Sequence, residues 1–397
     1  MPPSLWLYLS SRFCAGAAMT MFRAAVLWHV FSLSHSPFLM GLIGLVQFTP
    51  AALFTLVGGA VADTFDRRRI LMLAQLPPIA AGALLYFATD RGFVSIPLIF
   101  GAAFLIAAAQ AFDSPARAAF LPGLVGKEAF PRAVVFSSTT MTTAFITGPA
   151  VQGLVIALSG VKTVYALYGG LIALALVFLS RLPPVEPAAA GGAMSLRAIR
   201  EAVGFVRRSP VVLGCMTLDM LAVIFGGAST LLPIYARDIL GRGPRGYGVL
   251  AASLEMGSLL MGLFMLTRPP VRRAGRTLLF AVGVYGVATV AFGLSRAFPL
   301  SVATYMIAGM ADGLSVIMRS TAIQLSTPDE IRGRVSAVNM LFIQASNQLG
   351  GAESGFVAAL TSATFSVVSG GIGCLVVLAI IAARIPELRA YRIPSQV

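Results

Sequence analysis

The chain is 397 residues long, 57% hydrophobic and only 11% charged, with a formal net charge of +14 and a mean hydropathy of +0.87. A soluble domain needs more polar surface than this to cover itself, and its basic residues lie scattered between apolar runs rather than gathered as a nucleic-acid-binding face. Both classes are excluded, which leaves a multi-pass membrane protein.

Runs long enough to cross a bilayer are predicted at 4–31, 38–61, 70–88, 94–120, 133–158 and 162–180, then at 210–235, 246–267, 277–295, 298–325, 335–360 and 362–384. The expected fold is all-α: twelve membrane helices in two six-helix bundles, 1–181 and 210–397. The first run carries Arg12 and Arg23, eleven residues apart and so on one helix face. It is too long and too charged for a cleaved leader and is read as a retained helix. His29 and His35, at its far end and the turn beyond, read as interfacial residues. The second run ends at Gly58-Gly59, and the short turn after it holds Asp63, Asp66 and the triplet Arg67-Arg68-Arg69. Arginines packed between two apolar runs cannot enter lipid cheaply, so this turn lies at a membrane face.

Proline bends are expected at Pro50, at Pro77-Pro78 and at Gly148-Pro149 in the fifth run. The same run holds Ser137-Ser138-Thr139-Thr140 and Thr142-Thr143, hydroxyls that either line a pathway or bond to the preceding turn. In the fourth run Asp113 and Arg117 stand four apart, close enough to pair directly. The interval 182–209 is the one long connection, with Pro183, Pro184, Pro187, Arg197, Arg200, Arg207 and Arg208. It reads as a cytoplasmic linker, and its stretch from Ser195 to Arg208 as a short basic helix at the interface.

Acids inside apolar runs mark cavities, partners or ion paths. Beyond Asp113 these are Asp219, Glu255, Asp312 and Glu353. Asp312 and Arg319 are seven apart on one face, and Gly309 and Gly313 flank the acid. Arg117, Glu128 and Arg132 match Arg319, Glu330 and Arg334 at a constant offset of 202, which points to an internal duplication. On the side of the Arg67–Arg69 turn the connections and tail hold 19 basic residues, against 6 on the other side. That asymmetry places both termini in the cytoplasm. Cys14, Cys215 and Cys374 show neither disulfide nor metal spacing. No phosphate-binding glycine loop or zinc-protease motif occurs, so no enzymatic activity and no cofactor is expected, and an ion gradient is the economical energy source.

The turn Gly59-x-x-x-Asp63-x-x-Asp66-Arg67-Arg68-Arg69 resembles the loop between helices two and three of the major facilitator superfamily. Thr64 and Asp66 depart from that pattern at a basic and a glycine position. Gly148-Pro149 resembles the family's antiporter signature. Phe112-Asp113-Ser114-Pro115-Ala116-Arg117, Leu218-Asp219-Met220-Leu221 with Phe225-Gly226-Gly227, and Asp329-Glu330-Ile331-Arg332-Gly333-Arg334-Val335 are similar to its enterobactin-exporter and multidrug branch. The resemblance implies a proton-coupled exporter of siderophore- or drug-like molecules in the cytoplasmic membrane. Its partners would be substrate, proton and lipid, and it would act as a monomer. An importer or facilitator of a nutrient or metabolite is the alternative.

On this reading proton coupling falls to Asp312, with Asp219 as runner-up. The substrate cavity would draw on Arg12, Arg23, Trp28, Phe225, Arg319, Glu255 and Glu353, favouring an anionic or polyphenolic cargo. Gating would involve Gly59, Asp63, Asp66, Arg67, Arg68, Arg69, Asp113, Arg117, Gly148, Pro149, Glu330 and Arg334. Within that set Asp63 would accept bonds at the start of helix eleven, near Val335, and from nearby arginines.

Overall fold

The computed structural model describes residues 3–126, 128–184, 196–269 and 271–393. Among them the chain is helical throughout, with no strand. In the N-terminal half α1 (Pro3–Ser34), α2 (Pro37–Thr64), α3 (Arg67–Asp90), α4 (Ile96–Leu124), α5 (Phe130–Ser159) and α6 (Val161–Ser180) follow one another through short turns. Then come α7 (Leu196–Arg208), α8 (Pro210–Gly226), a 3-10 turn Ala228–Leu231, α9 (Leu232–Ile234) and a π turn Tyr235–Ile239. The rest are α10 (Gly243–Leu266), α11 (Ala274–Leu294), α12 (Phe298–Leu325), α13 (Asp329–Leu360), α14 (Ala363–Arg384) and α15 (Pro386–Ala390).

Eleven of these segments are long and apolar enough to span a membrane among the described residues, one fewer than expected. The exception is α13, 32 residues long, whose Asn339, Gln344, Asn347, Gln348 and Glu353 dilute its hydropathy. The seventh run is also less regular than expected. Gly227 ends α8, and the freed carbonyl of Gly226 accepts a bond from the Tyr285 hydroxyl at 2.9 Å, which is how a broken membrane helix keeps its backbone satisfied.

The chain forms two compact units. The first comprises Met1–His35, Leu45–Met194 and Gly243–Ala252; the second comprises Ser36–Gly44, Ser195–Arg242 and Ser253–Val397. In the first, α1 packs on α5 and α6, and α3 packs on α4 and α6. In the second, α8 packs on α13 and α14, and α11 packs on α12 and α14. Helix for helix the neighbour pattern is the same, as a duplication requires.

Small residues permit these contacts, as is usual between membrane helices. In the first unit Gly148 lies against Ala17 and Thr20 of α1, and the Thr20 hydroxyl reaches the Ala144 carbonyl at 3.1 Å. The first turns of α10 join the same unit: Gly248 packs on Gly153, and the Tyr247 hydroxyl donates to the Ala24 carbonyl at 3.1 Å. In the second unit the start of α2 lies on α13 through Gly41 and Gly355.

Helix α7 was expected on the lipid surface, but its apolar side is used by protein. Ala202 and Val206 are buried in the core of the second unit with Val335 and Val338, while Arg200, Arg207 and Arg208 stay exposed. Residues 185–195 of the linker lie outside the described residues.

Candidate functional site

In the α2–α3 turn the charged residues have separate tasks. Asp66 caps α3, accepting from the Arg68 N–H at 2.9 Å, and Arg69 approaches it at 3.7 Å while remaining exposed. Arg67 is buried. Its guanidinium donates to the Ala119 carbonyl on α4 at 2.9 Å and to the Ala62 carbonyl at 3.5 Å. Arg68 reaches the Ser180 carbonyl at the end of α6. Two of the three arginines thus staple helix ends together. Of the two glycines, Gly58 makes the close approach, against Ala111 of α4, whereas Gly59 faces open space. The Asp63 side chain lies outside the described residues.

Asp113 and Arg117 form a two-point ion pair, with Nε to Oδ2 at 2.9 Å and an Nη to Oδ1 at 2.8 Å. Gln75 of α3 donates to the same carboxylate at 2.7 Å, and the Tyr8 hydroxyl of α1 donates to the Arg117 carbonyl at 3.2 Å. Arg117 is 6% exposed. Such a bidentate pair fixes geometry as well as charge. Beside it a cavity of about 40 Å³ opens among Gln75, Gln110, Asp113 and Tyr168, polar and large enough for water.

The matching arginine of the second unit is tied differently. Arg319 on α12 makes an ion pair with Asp219 on α8, the two being 3% and 9% exposed. Asp312, two turns earlier on α12, is not the partner of Arg319. Both Asp219 and Arg319 are therefore sealed by one another rather than open to a ligand. Among the described residues the Arg319 Nε finds no acceptor.

Asp312 is half-buried and accepts no hydrogen bond or ion pair among the described residues. Its surroundings follow from three glycines. Gly309 lies against Leu254, Gly257 against Met306, and Gly313 against Ser258, so α10 and α12 run in backbone contact. That contact brings Glu255 of α10 beside Asp312, near enough for the charge of one to act on the other. Among the described residues Glu255 likewise has no cationic partner. Two carboxyls without a counter-ion at membrane depth are costly, and a proton or a cationic group is what such a pair can accept.

The other expected residues are distributed as follows. Arg23 is exposed, and Arg12 is half-buried with an Nε that lacks an acceptor among the described residues. Trp28 is 8% exposed, its ring stacked on Tyr247 with centroids 5.7 Å apart, so one face is already occupied. Phe225 is half-buried, lying over Gly370 and Gly373 of α14. Glu353 is half-buried and accepts from the Ser354 hydroxyl at 3.4 Å. Gly148 and Pro149 sit inside an unbroken α5. Thr139, Thr140, Thr142 and Thr143 each donate to the carbonyl four residues back, as serines and threonines do in membrane helices. At the start of α13 Glu330 is exposed, and Arg334 bonds to Glu201 of α7 at 2.8 Å. His29 is not interfacial in the way expected: it is buried, and its Nδ1 lies 2.8 Å from the Tyr165 hydroxyl.

Two further polar residues belong with these. Gln75 completes the Asp113 network, and Gln152 is fully buried on α5 with both amide atoms unpartnered. Each is a lone amide in an apolar run, the same kind of signal that singled out the acids.

The family described as transmembrane secretion effector matches residues 5–396. Curated relatives named enterobactin exporter, from Shigella boydii serotype 4 and from Escherichia coli O157:H7, are 25% identical over 406 residues, covering 98% of this chain and 93% of theirs. Among solved structures, a nucleoside transporter superposes with a TM-score of 0.75 at 12% identity, over 96% of this chain and 99% of that one. A bacterial homologue of a human lysosomal transporter gives 0.74 at 15% identity, over 98% and 97%. At these identities the structural likeness speaks for the fold alone.

Proposed function

The chain belongs to the transmembrane secretion effector family, a membrane-transporter family of the major facilitator fold, and we propose that it exports small organic molecules in exchange for protons. The observation that carries the direction is the likeness to enterobactin exporters across nearly the whole length of both chains. It works by alternating access in the cytoplasmic membrane, with both termini on the cytoplasmic side, as the distribution of arginines supports.

Transport against a gradient without ATP needs a group whose protonation differs between the two open states. Asp312 suits this role because among the described residues it has no ion pair, and Glu255 is an ionisable neighbour across the α10–α12 contact. Asp219 suits it less, because it is already committed to an ion pair with Arg319. Arg12, with an unfilled donor, and the exposed Arg23 favour an anionic or polyphenolic cargo over a simple cation.

The test is transport in proteoliposomes under an imposed proton gradient, with a panel of catecholates and cationic dyes of similar size. Catecholate movement opposite to the proton, competed poorly by the dyes, is the expected result. Asp312→Asn should abolish gradient-driven accumulation while leaving substrate binding and gradient-free exchange measurable. An Asp312→Asn protein that still concentrates cargo would remove Asp312 from the coupling step. Flux in the same direction as the proton would replace export by uptake.

A further inference from the structure

The C-terminal tail does not simply trail from α14. Leu388 of α15 is buried in the core of the second unit. Gly275 N–H donates to the Tyr391 carbonyl at 3.2 Å, and Ile393 N–H donates to the Arg272 carbonyl at 2.9 Å. Two backbone bonds in this arrangement strap residues 391–393 along the connection that leads into α11. The approach depends on Gly275, where any Cβ would overlap the Leu388 carbonyl.

The strap changes what the surface presents. It carries Arg389 and Arg392 to the connection that holds Arg272, Arg273 and Arg276, while Arg384 ends α14, which packs on α11; all six side chains are exposed. Over residues 271–276 and 384–393 the only acid is Glu387. None of the six makes an ion pair among the described residues. The cluster sits where α11 begins and α14 ends, at headgroup depth for two spanning helices. Scattered arginines near a membrane are ordinary; here the backbone bonds, with the packing of α14 on α11, bring two separate groups of three together.

We propose that this patch is a binding site for anionic phospholipid headgroups, built by the docking of the tail. Guanidinium groups match phosphate in geometry and charge, and clustered basic residues at the membrane face recruit acidic lipid. A headgroup bound there bridges the tail to the start of α11 and holds the end of the second unit against the bilayer. A soluble phosphate source fits less well, because Phe280, one helical turn after Arg276 on α11, is an exposed apolar side chain suited to lipid.

The full-length protein in detergent is titrated with phosphatidylglycerol or phosphatidylcholine, and bound lipid is counted by native mass spectrometry. Phosphatidylglycerol should bind at least about tenfold more tightly, and added salt should erode the preference. Arg389→Gln/Arg392→Gln should remove most of the preference, while Arg242→Gln, at the other end of α10, should leave it intact. Gly275→Ala keeps all six arginines but displaces the strap, and should weaken phosphatidylglycerol binding with the fold retained by circular dichroism. The double glutamine variant keeps the test decisive if Gly275→Ala does not fold. Equal binding of the two lipids, an unaltered double variant, or a folded Gly275→Ala protein with full preference would each overturn the proposal. So would displacement of phosphatidylglycerol by millimolar inorganic phosphate, which would make this a free-anion site.

Discussion

Asp219→Asn should destabilise the second unit severely although it removes only one charge. Arginine cannot deprotonate to relieve itself, so the substitution leaves a guanidinium at a position 3% exposed with no anion. Breaking a buried ion pair by removing one partner costs about 3–5 kcal/mol. Removing both charges in Asp219→Leu/Arg319→Met should cost much less, within about 1–2 kcal/mol, because the desolvation penalty of the pair disappears with its attraction. Asp312→Asn supplies the contrast: that carboxyl has no partner to strand, so neutralising it should be neutral or mildly stabilising. Unfolding of the detergent-solubilised proteins in rising dodecyl sulfate fraction, followed by circular dichroism, measures all three. An Asp219→Asn protein within about 1 kcal/mol of wild type would refute the reasoning, and so would a double variant less stable than the single one.

Two further substitutions test separate parts of the frame. Arg67→Gln withdraws the bonds to the Ala119 and Ala62 carbonyls and should cost about 1–3 kcal/mol, whereas Arg69→Gln, whose side chain is 83% exposed, should stay within about 0.5 kcal/mol; equal effects in the same unfolding assay would show that the turn is a solvated charge run. Gly309→Ala places a methyl against the Leu254 backbone, and overpacking of this kind costs about 1–3 kcal/mol. On the proposed proton coupling it should also lower gradient-driven transport by separating α10 from α12 beside Asp312, and an unaltered transport rate would count against the role proposed for the two carboxyls.

The fold was legible because hydrophobic length is a local property. The runs expected at 133–158 and 162–180 are found as Phe130–Ser159 and Val161–Ser180. Local pairing was legible for the same reason: Asp113 and Arg117 are one turn apart, and one turn apart is in reach. What escaped was every contact made across helices. The partner of Arg319 is one hundred residues away on α8, and only packing reveals it. The choice between Gly58 and Gly59 at the α2 end turns on helix rotation, which composition does not encode. The eleventh run, 335–360, is found as a helix long enough to span but falls short in apolarity, so the count of twelve is not confirmed. Residue type marked Asp312 as unusual, but its lack of a partner is a statement about everything around it.

The offset of 202 residues says more once the helices are in place. It carries Arg319 onto Arg117, and both are buried arginines held by an aspartate, but the bonds do different work. The Asp113–Arg117 pair closes within α4 and joins no two helices by itself, whereas the Asp219–Arg319 pair ties α8 to α12. The same offset carries Asp312 onto Gln110, which lines the polar cavity of the first unit. Both copies of the repeat therefore keep a polar side chain at this depth, and only the second copy keeps one that can ionise. A neutral amide is evidently compatible with the frame, because the first unit already has one there. Asp312→Asn accordingly gives the second unit the chemistry of the first. If Asp312 carries the proton, the change should remove coupling without removing the fold, and that separation is what distinguishes a coupling residue from a structural one.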